Sequence, residues 1–151
     1  MIRRNDLADP AGPVTKATAR QTGTTFAHRV AIRRHELIVD EPPELGGEDQ
    51  GPNPQELLAA SIAACTAITV EMYARRKDWD IGPVEVHCEY ATADRGEPTV
   101  FDLVLRLPTT CSEEQVEKLS AIAAKCPVHR TLDGEIVFRE RVEQRPPDEA
   151  T

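Results

Sequence analysis

Residues 53–77 constrain the fold more than any other stretch of the chain. Asn53 is a favoured N-cap and Pro54 a favoured first helical residue. Gln55 and Glu56 place polar, partly acidic groups at the positive end of the helix dipole. The helix is expected to run to about Lys77 or Asp78. From Leu57 through Val70 it is apolar on almost every face, with Leu58, Ile62, Ala63, Ala64, Cys65, Ala67 and Ile68 among its residues. A helix apolar all round must be buried. In a chain of 151 residues, burying every face of it calls for a second subunit. Arg75, Arg76 and Lys77 then suit its C-terminal dipole end.

The flanking segments read as strands and one shorter helix. Between residues 15 and 39, Thr18, Thr22, Thr25, Val30, Ile32, Ile38 and Val39 are β-branched, and Gly23 offers a turn. Asp40-Glu41-Pro42-Pro43 ends that region, and a polar loop fills residues 44–52. Strands are expected near 84–90 and 100–107, separated by Asp94-Arg95-Gly96. Alternation there puts His87 on a wet face and Cys88 inward. Ser112 and Gln115 have the spacing of a capping box, which opens a helix ending near Lys125. Glu135-Ile136-Val137-Phe138 is read as a last strand. The fold class is α+β, with one long helix on an antiparallel sheet. Residues 15–142 form the domain, between a flexible arm at 1–14 and a flexible tail at 143–151.

Charge and cysteine usage narrow the function. A net charge of −8 argues against a nucleic-acid partner, which needs a basic face. No run of about eighteen residues is free of charge, so no membrane span is expected. No apolar region follows Met1-Ile2-Arg3-Arg4, so a secretory signal is not expected, and a cytoplasmic location follows. In a reducing compartment the four cysteines are not a structural disulfide framework.

Taken alone, Cys65 reads as a small core hydrophobe. Cys126 reads either as a buried thiol at a helix junction or as a thiol at the start of a helix opened by Pro127, where thiolate is favoured. Cys111 is expected to be exposed and without a role. Cys126 and His129 could be two zinc ligands, but no Cys-x-x-Cys pair supplies the others, and no metal is expected. No phosphate loop, dinucleotide fingerprint or nucleophile elbow is present.

Two segments carry a family resemblance. Gly51-Pro52-Asn53-Pro54-Gln55-Glu56-Leu57-Leu58-Ala59-Ala60-Ser61-Ile62-Ala63-Ala64-Cys65-Thr66 resembles the central-helix motif of the OsmC/Ohr family. Cys126-Pro127-Val128-His129-Arg130-Thr131-Leu132 resembles its second cysteine motif. Asp40-Glu41-Pro42, Leu45-Gly46-Gly47 and Met72-Tyr73-Ala74 also fit, and the similarity spans roughly residues 20–140. The resemblance implies an antiparallel sheet wrapped around two central helices in an interlocked homodimer, with sites at the subunit interface. It implies thiol-dependent reduction of hydroperoxides without metal or flavin, Cys65 attacking, Cys126 resolving, and an external dithiol restoring both. Non-catalytic binding of an apolar ligand and thiol redox sensing are the alternatives.

In the family an Arg held by a carboxylate supports the first cysteine. The carboxylate position, ten before Cys65, holds Gln55 here, with Glu56 adjacent as the substitute. Arg20, Arg29, Arg33 and Arg34 are the candidate cations.

Overall fold

The computed structural model describes residues 12–23, 25–144 and 146. Most of the expected arm and tail therefore lies outside the described residues. β1 (Thr18–Gln21), β2 (His28–Ile32) and β3 (His35–Val39) form an antiparallel meander in the order β1-β2-β3. β4 (Glu85–Tyr90) and β5 (Phe101–Arg106) form a separate antiparallel pair, with Cys88 opposite Leu103. The single expected sheet is thus two sheets within this chain. The region between residues 15 and 39 also holds a turn the sequence does not advertise. Arg33 adopts φ 56°, a conformation normally taken by Gly or Asn, to reverse β2 into β3.

The expected last strand is corrected: residues 135–138 form no strand in this chain. Ile136, Val137 and Phe138 remain exposed at 48%, 44% and 69%. A β-rich segment without a neighbour to hydrogen-bond has the composition of a strand and none of its ladder.

α1 (Pro54–Arg76) begins as the sequence predicts. The Asn53 side chain accepts from the Glu56 backbone N–H at 2.9 Å, and the Glu56 carboxylate accepts from the Asn53 N–H at 2.8 Å. Only one stripe of α1 is buried: Ile62, Thr66, Val70 and Ala74, one residue every turn. Ile68 and Met72, on other faces, are 54% and 59% exposed. By length and composition alone α1 is long and apolar enough to cross a membrane. Its buried stripe instead packs within the fold: Val70 and Ala74 form a core with Ile81 and Leu119, flanked by Trp79, Leu105 and Leu107.

α2 (Glu113–Ala123) starts with the expected capping box between Ser112 and Gln115. Cys111, expected to be exposed, is half-buried against the core and donates to the Ile81 carbonyl at 3.8 Å. α3 (Pro127–Leu132) follows at once, with Cys126 as its N-cap.

The loop between β3 and α1 is folded back on itself around Asp40, whose side chain is 1% exposed. Asp40 accepts from the backbone N–H groups of Glu41 (2.8 Å), Glu48 (3.1 Å) and Gln50 (3.2 Å). Gly47 and Gly51 make the fold-back possible, because a Cβ at either would collide with the carbonyl of Glu41 or Ile38.

Candidate redox site

The site is built where α3 meets the buried stripe of α1. Pro127 sets the first helical φ of α3 and leaves Cys126 extended just before it, at φ −62° and ψ 147°. That geometry turns the Cys126 side chain back over its own helix start. Its Sγ accepts from the His129 backbone N–H at 3.3 Å. On its other side the Thr66 hydroxyl donates to the same Sγ at 3.5 Å, within ordinary range for sulfur. Cys126 is fully buried.

Cys65 precedes Thr66 on α1 and is half-buried. The Cys126 sulfur, 61 positions on in sequence, therefore meets α1 at Thr66, the residue after Cys65 and about 100° further round the helix. Both are free thiols, as are Cys88 and Cys111. The Cys65 carbonyl accepts from the Thr69 hydroxyl at 2.7 Å, an ordinary back-bond within the helix.

An apolar cavity of about 440 Å3 adjoins this junction. Apolar residues, among them Val86, Leu103, Leu105, Val116 and Ala123, form most of its wall, and Thr66, Ser120 and His129 supply its polar groups. Among the described residues no cluster of three or more His, Cys, Asp and Glu has the arrangement of a metal site.

The remaining predicted site residues lie elsewhere. Glu56 sits nine residues before Cys65, about 13 Å along the helix axis at 1.5 Å per residue, with its carboxylate engaged in the N-terminal cap. Arg29 pairs with Glu36 at 3.1 Å on the exposed face of the meander, and its cross-strand neighbour is Arg20. Arg33 and Arg34 occupy the β2–β3 turn. Sequence reasoning missed Thr66. The signal was available: it is the single polar residue in the stripe Ile62, Thr66, Val70, Ala74.

A second cavity, of about 460 Å3, opens between the meander and the start of α1, lined by Phe26, His28, Val30, Glu41 and Leu57. Among the described residues, Oε2 of Glu41 is buried there without a hydrogen-bond partner.

Fold and site together define a class: an α+β protein with a long central helix that carries one cysteine and receives a second from a short helix. The family model described as OsmC-like protein matches residues 47–141. The chain belongs to the OsmC family.

No curated protein matches it. Among solved structures, an organic hydroperoxide resistance protein OsmC from Legionella pneumophila is 27% identical, with 83% of this chain and 93% of that one covered and a TM-score of 0.60. An OsmC-like protein from Mycoplasma pneumoniae is 19% identical over 81% and 89% of the two chains, with a TM-score of 0.67. A Vibrio cholerae organic hydroperoxide resistance protein, solved with captopril in one of its active sites, is 24% identical over 87% and 91%, with a TM-score of 0.61.

Proposed function

We propose that this protein is a homodimeric, cysteine-based peroxidase that reduces organic hydroperoxides. The observation that carries the reading is the seating of the Cys126 sulfur against Thr66, the residue after Cys65 on α1, where Thr66 and His129 line an apolar cavity. A hydroperoxide with a hydrocarbon body suits such a wall, and its O–O bond is the weak bond a thiolate breaks.

The Cys65 thiolate attacks the outer peroxide oxygen. An S–O bond forms, the O–O bond breaks, and the alkoxide leaves as alcohol after taking a proton. Cys65 is then a sulfenic acid. Cys126 attacks that sulfur, the S–S bond forms, and the hydroxyl leaves as water. An external dithiol reduces the disulfide by exchange and is itself oxidised. The disulfide also shields Cys65 from further oxidation. Glu56 has a supporting part in this proposal: its cap fixes the start of the helix that presents Cys65.

A dimer fits two features of the single chain. The exposed faces of α1 and the unpaired Glu41 oxygen both call for groups that the described residues do not supply. The relatives named for organic hydroperoxide resistance favour the peroxidase reading.

Gln55, in place of the family carboxylate, favours a second reading: non-catalytic binding of an apolar molecule in the same cavity. Thiol counting separates the two. One equivalent of cumene hydroperoxide should consume two thiols per subunit in a peroxidase and none in a binder. Cys65→Ser should abolish peroxide consumption, and Cys126→Ser should consume one equivalent and stall. Steady turnover by Cys65→Ser would overturn the assignment.

A further inference from the structure

Thr66 stands at a position where the helix asks for an apolar residue. Ile62, Val70 and Ala74 fill the rest of its stripe, and Thr66 is only 3% exposed. A buried hydroxyl without a partner is costly. The usual remedy inside a helix is a back-bond to the carbonyl four residues earlier. Thr69, three residues further on, takes that remedy with the Cys65 carbonyl. Thr66 instead reaches across to the Cys126 sulfur. Valine, its isostere, would fill the same space and lose that contact.

The Cys126 sulfur is thereby held by two donors from two different elements. The His129 N–H of α3 fixes it relative to its own helix, and the Thr66 hydroxyl fixes it relative to α1. The second bond alone ties the sulfur to the helix that carries Cys65. Thr66 also lines the apolar cavity in which the substrate is proposed to bind.

We propose that Thr66 is a positioning residue for the resolving step: it holds the Cys126 sulfur against α1 so that disulfide closure outruns further oxidation of Cys65. The proposal rests on the peroxidase reading for its biological use, but the positioning itself does not depend on which oxidant starts the reaction. The step it serves is the balanced one above, in which Cys126 sulfur displaces hydroxide from the Cys65 sulfenic acid, forming S–S, breaking S–O and releasing water.

The test is Thr66→Val in the full-length protein, with Thr66→Ser beside it. Rapid mixing with cumene hydroperoxide reads the first step, peroxide loss, separately from the second, thiol loss at Cys126. Mass spectrometry reads the share of Cys65 driven to sulfinic acid at rising peroxide. Because Thr66 also lines the cavity, closure is scored by its own rate constant in each variant, whatever happens to the first step. In Thr66→Val closure should slow by about tenfold, the worth of one hydrogen bond, and sulfinic acid should appear at correspondingly lower peroxide. Thr66→Ser should restore both.

The same closure driven by an azodicarboxamide oxidant gives an arm independent of peroxidase activity. Slowed closure there, with no peroxide consumed by the parent, would sink the peroxidase reading and uphold the role of Thr66. Parental closure rates and sulfinic acid yields in Thr66→Val would overturn the role, as would absence of a Cys65–Cys126 disulfide with either oxidant. Should Thr66→Val fail to fold, Thr66→Ser decides, because the role requires parental closure from the retained hydroxyl.

Discussion

Asp40 carries its charge in a place where charge is expensive. Burial pushes its carboxyl up, but the N–H groups of Gln50, Glu41 and Glu48, with His28 nearby, more than offset that and hold it below the ordinary 3.8. A carboxyl depressed by folding stabilises the folded state at every pH above its unfolded value, and that contribution is lost as pH falls through the lowered folded value. Asp40→Asn keeps one acceptor and turns an amide donor toward backbone donors. The variant should be less stable than the parent at neutral pH, and the gap should narrow as pH falls below 3.8. Denaturant midpoints at stepped pH check this; a gap constant down to pH about 2 would refute the linkage. Cys88 shows the opposite environment. Burial and then the Glu89 carboxylate push its thiol up, so it holds less thiolate than an ordinary cysteine. The same strand position that points Cys88 inward therefore also argues against a part for it in the redox chemistry.

At the scale of elements, the local signals were reliable where the determinant is local. Asn53-Pro54 and Ser112 mark helix starts because capping involves only neighbouring residues. Pro127 likewise opens α3 as its position suggests. The β2–β3 turn was hidden because Arg33 is no turn residue; only the pairing of the two strands forces it to positive φ. The strand-like segment at 135–138 shows the reverse error, since composition cannot supply a ladder partner. Packing between elements is concentrated at Leu119, which is fully buried where α2 meets Val70 and Ala74 of α1. Leu119→Ala should cost about 2–5 kcal/mol of stability, the range for a leucine removed from a core. It should also weaken the α2 wall of the cavity, so activity should fall with stability. Chemical unfolding and peroxide consumption at one temperature test both.

Over the whole molecule, more surface is left open than a compact monomer of this mass exposes. The chain exposes 12514 Å2, whereas a compact monomer of its mass exposes about 7,600 Å2. The 18 residues outside the described set can account for at most roughly 2,900 Å2 of the difference, whatever their conformation. The remainder, about 2,000 Å2, is on the scale of the surface an obligate dimer buries. Met72 and Ile68 on the open side of α1 line a concavity of about 800 Å3, together with Trp79 and Ile81. In the proposed dimer, Met72→Glu should shift the equilibrium toward monomer in sedimentation velocity. The parent should melt at a temperature that rises with concentration. A parent that sediments as a monomer at micromolar concentration would remove the dimer from the proposed function.

The chain's own order of residues determined the two capped helices, the inward and outward faces of β4, and the family. Each rests on spacing within a few residues or on a motif read in one stretch. Only the tertiary structure decided that Cys126 meets α1 at Thr66, that Asp40 gathers three backbone donors, and that the strands divide into two sheets. Those depend on which distant segments touch, and a contact across 60 residues is fixed by packing of the whole chain rather than by any local preference.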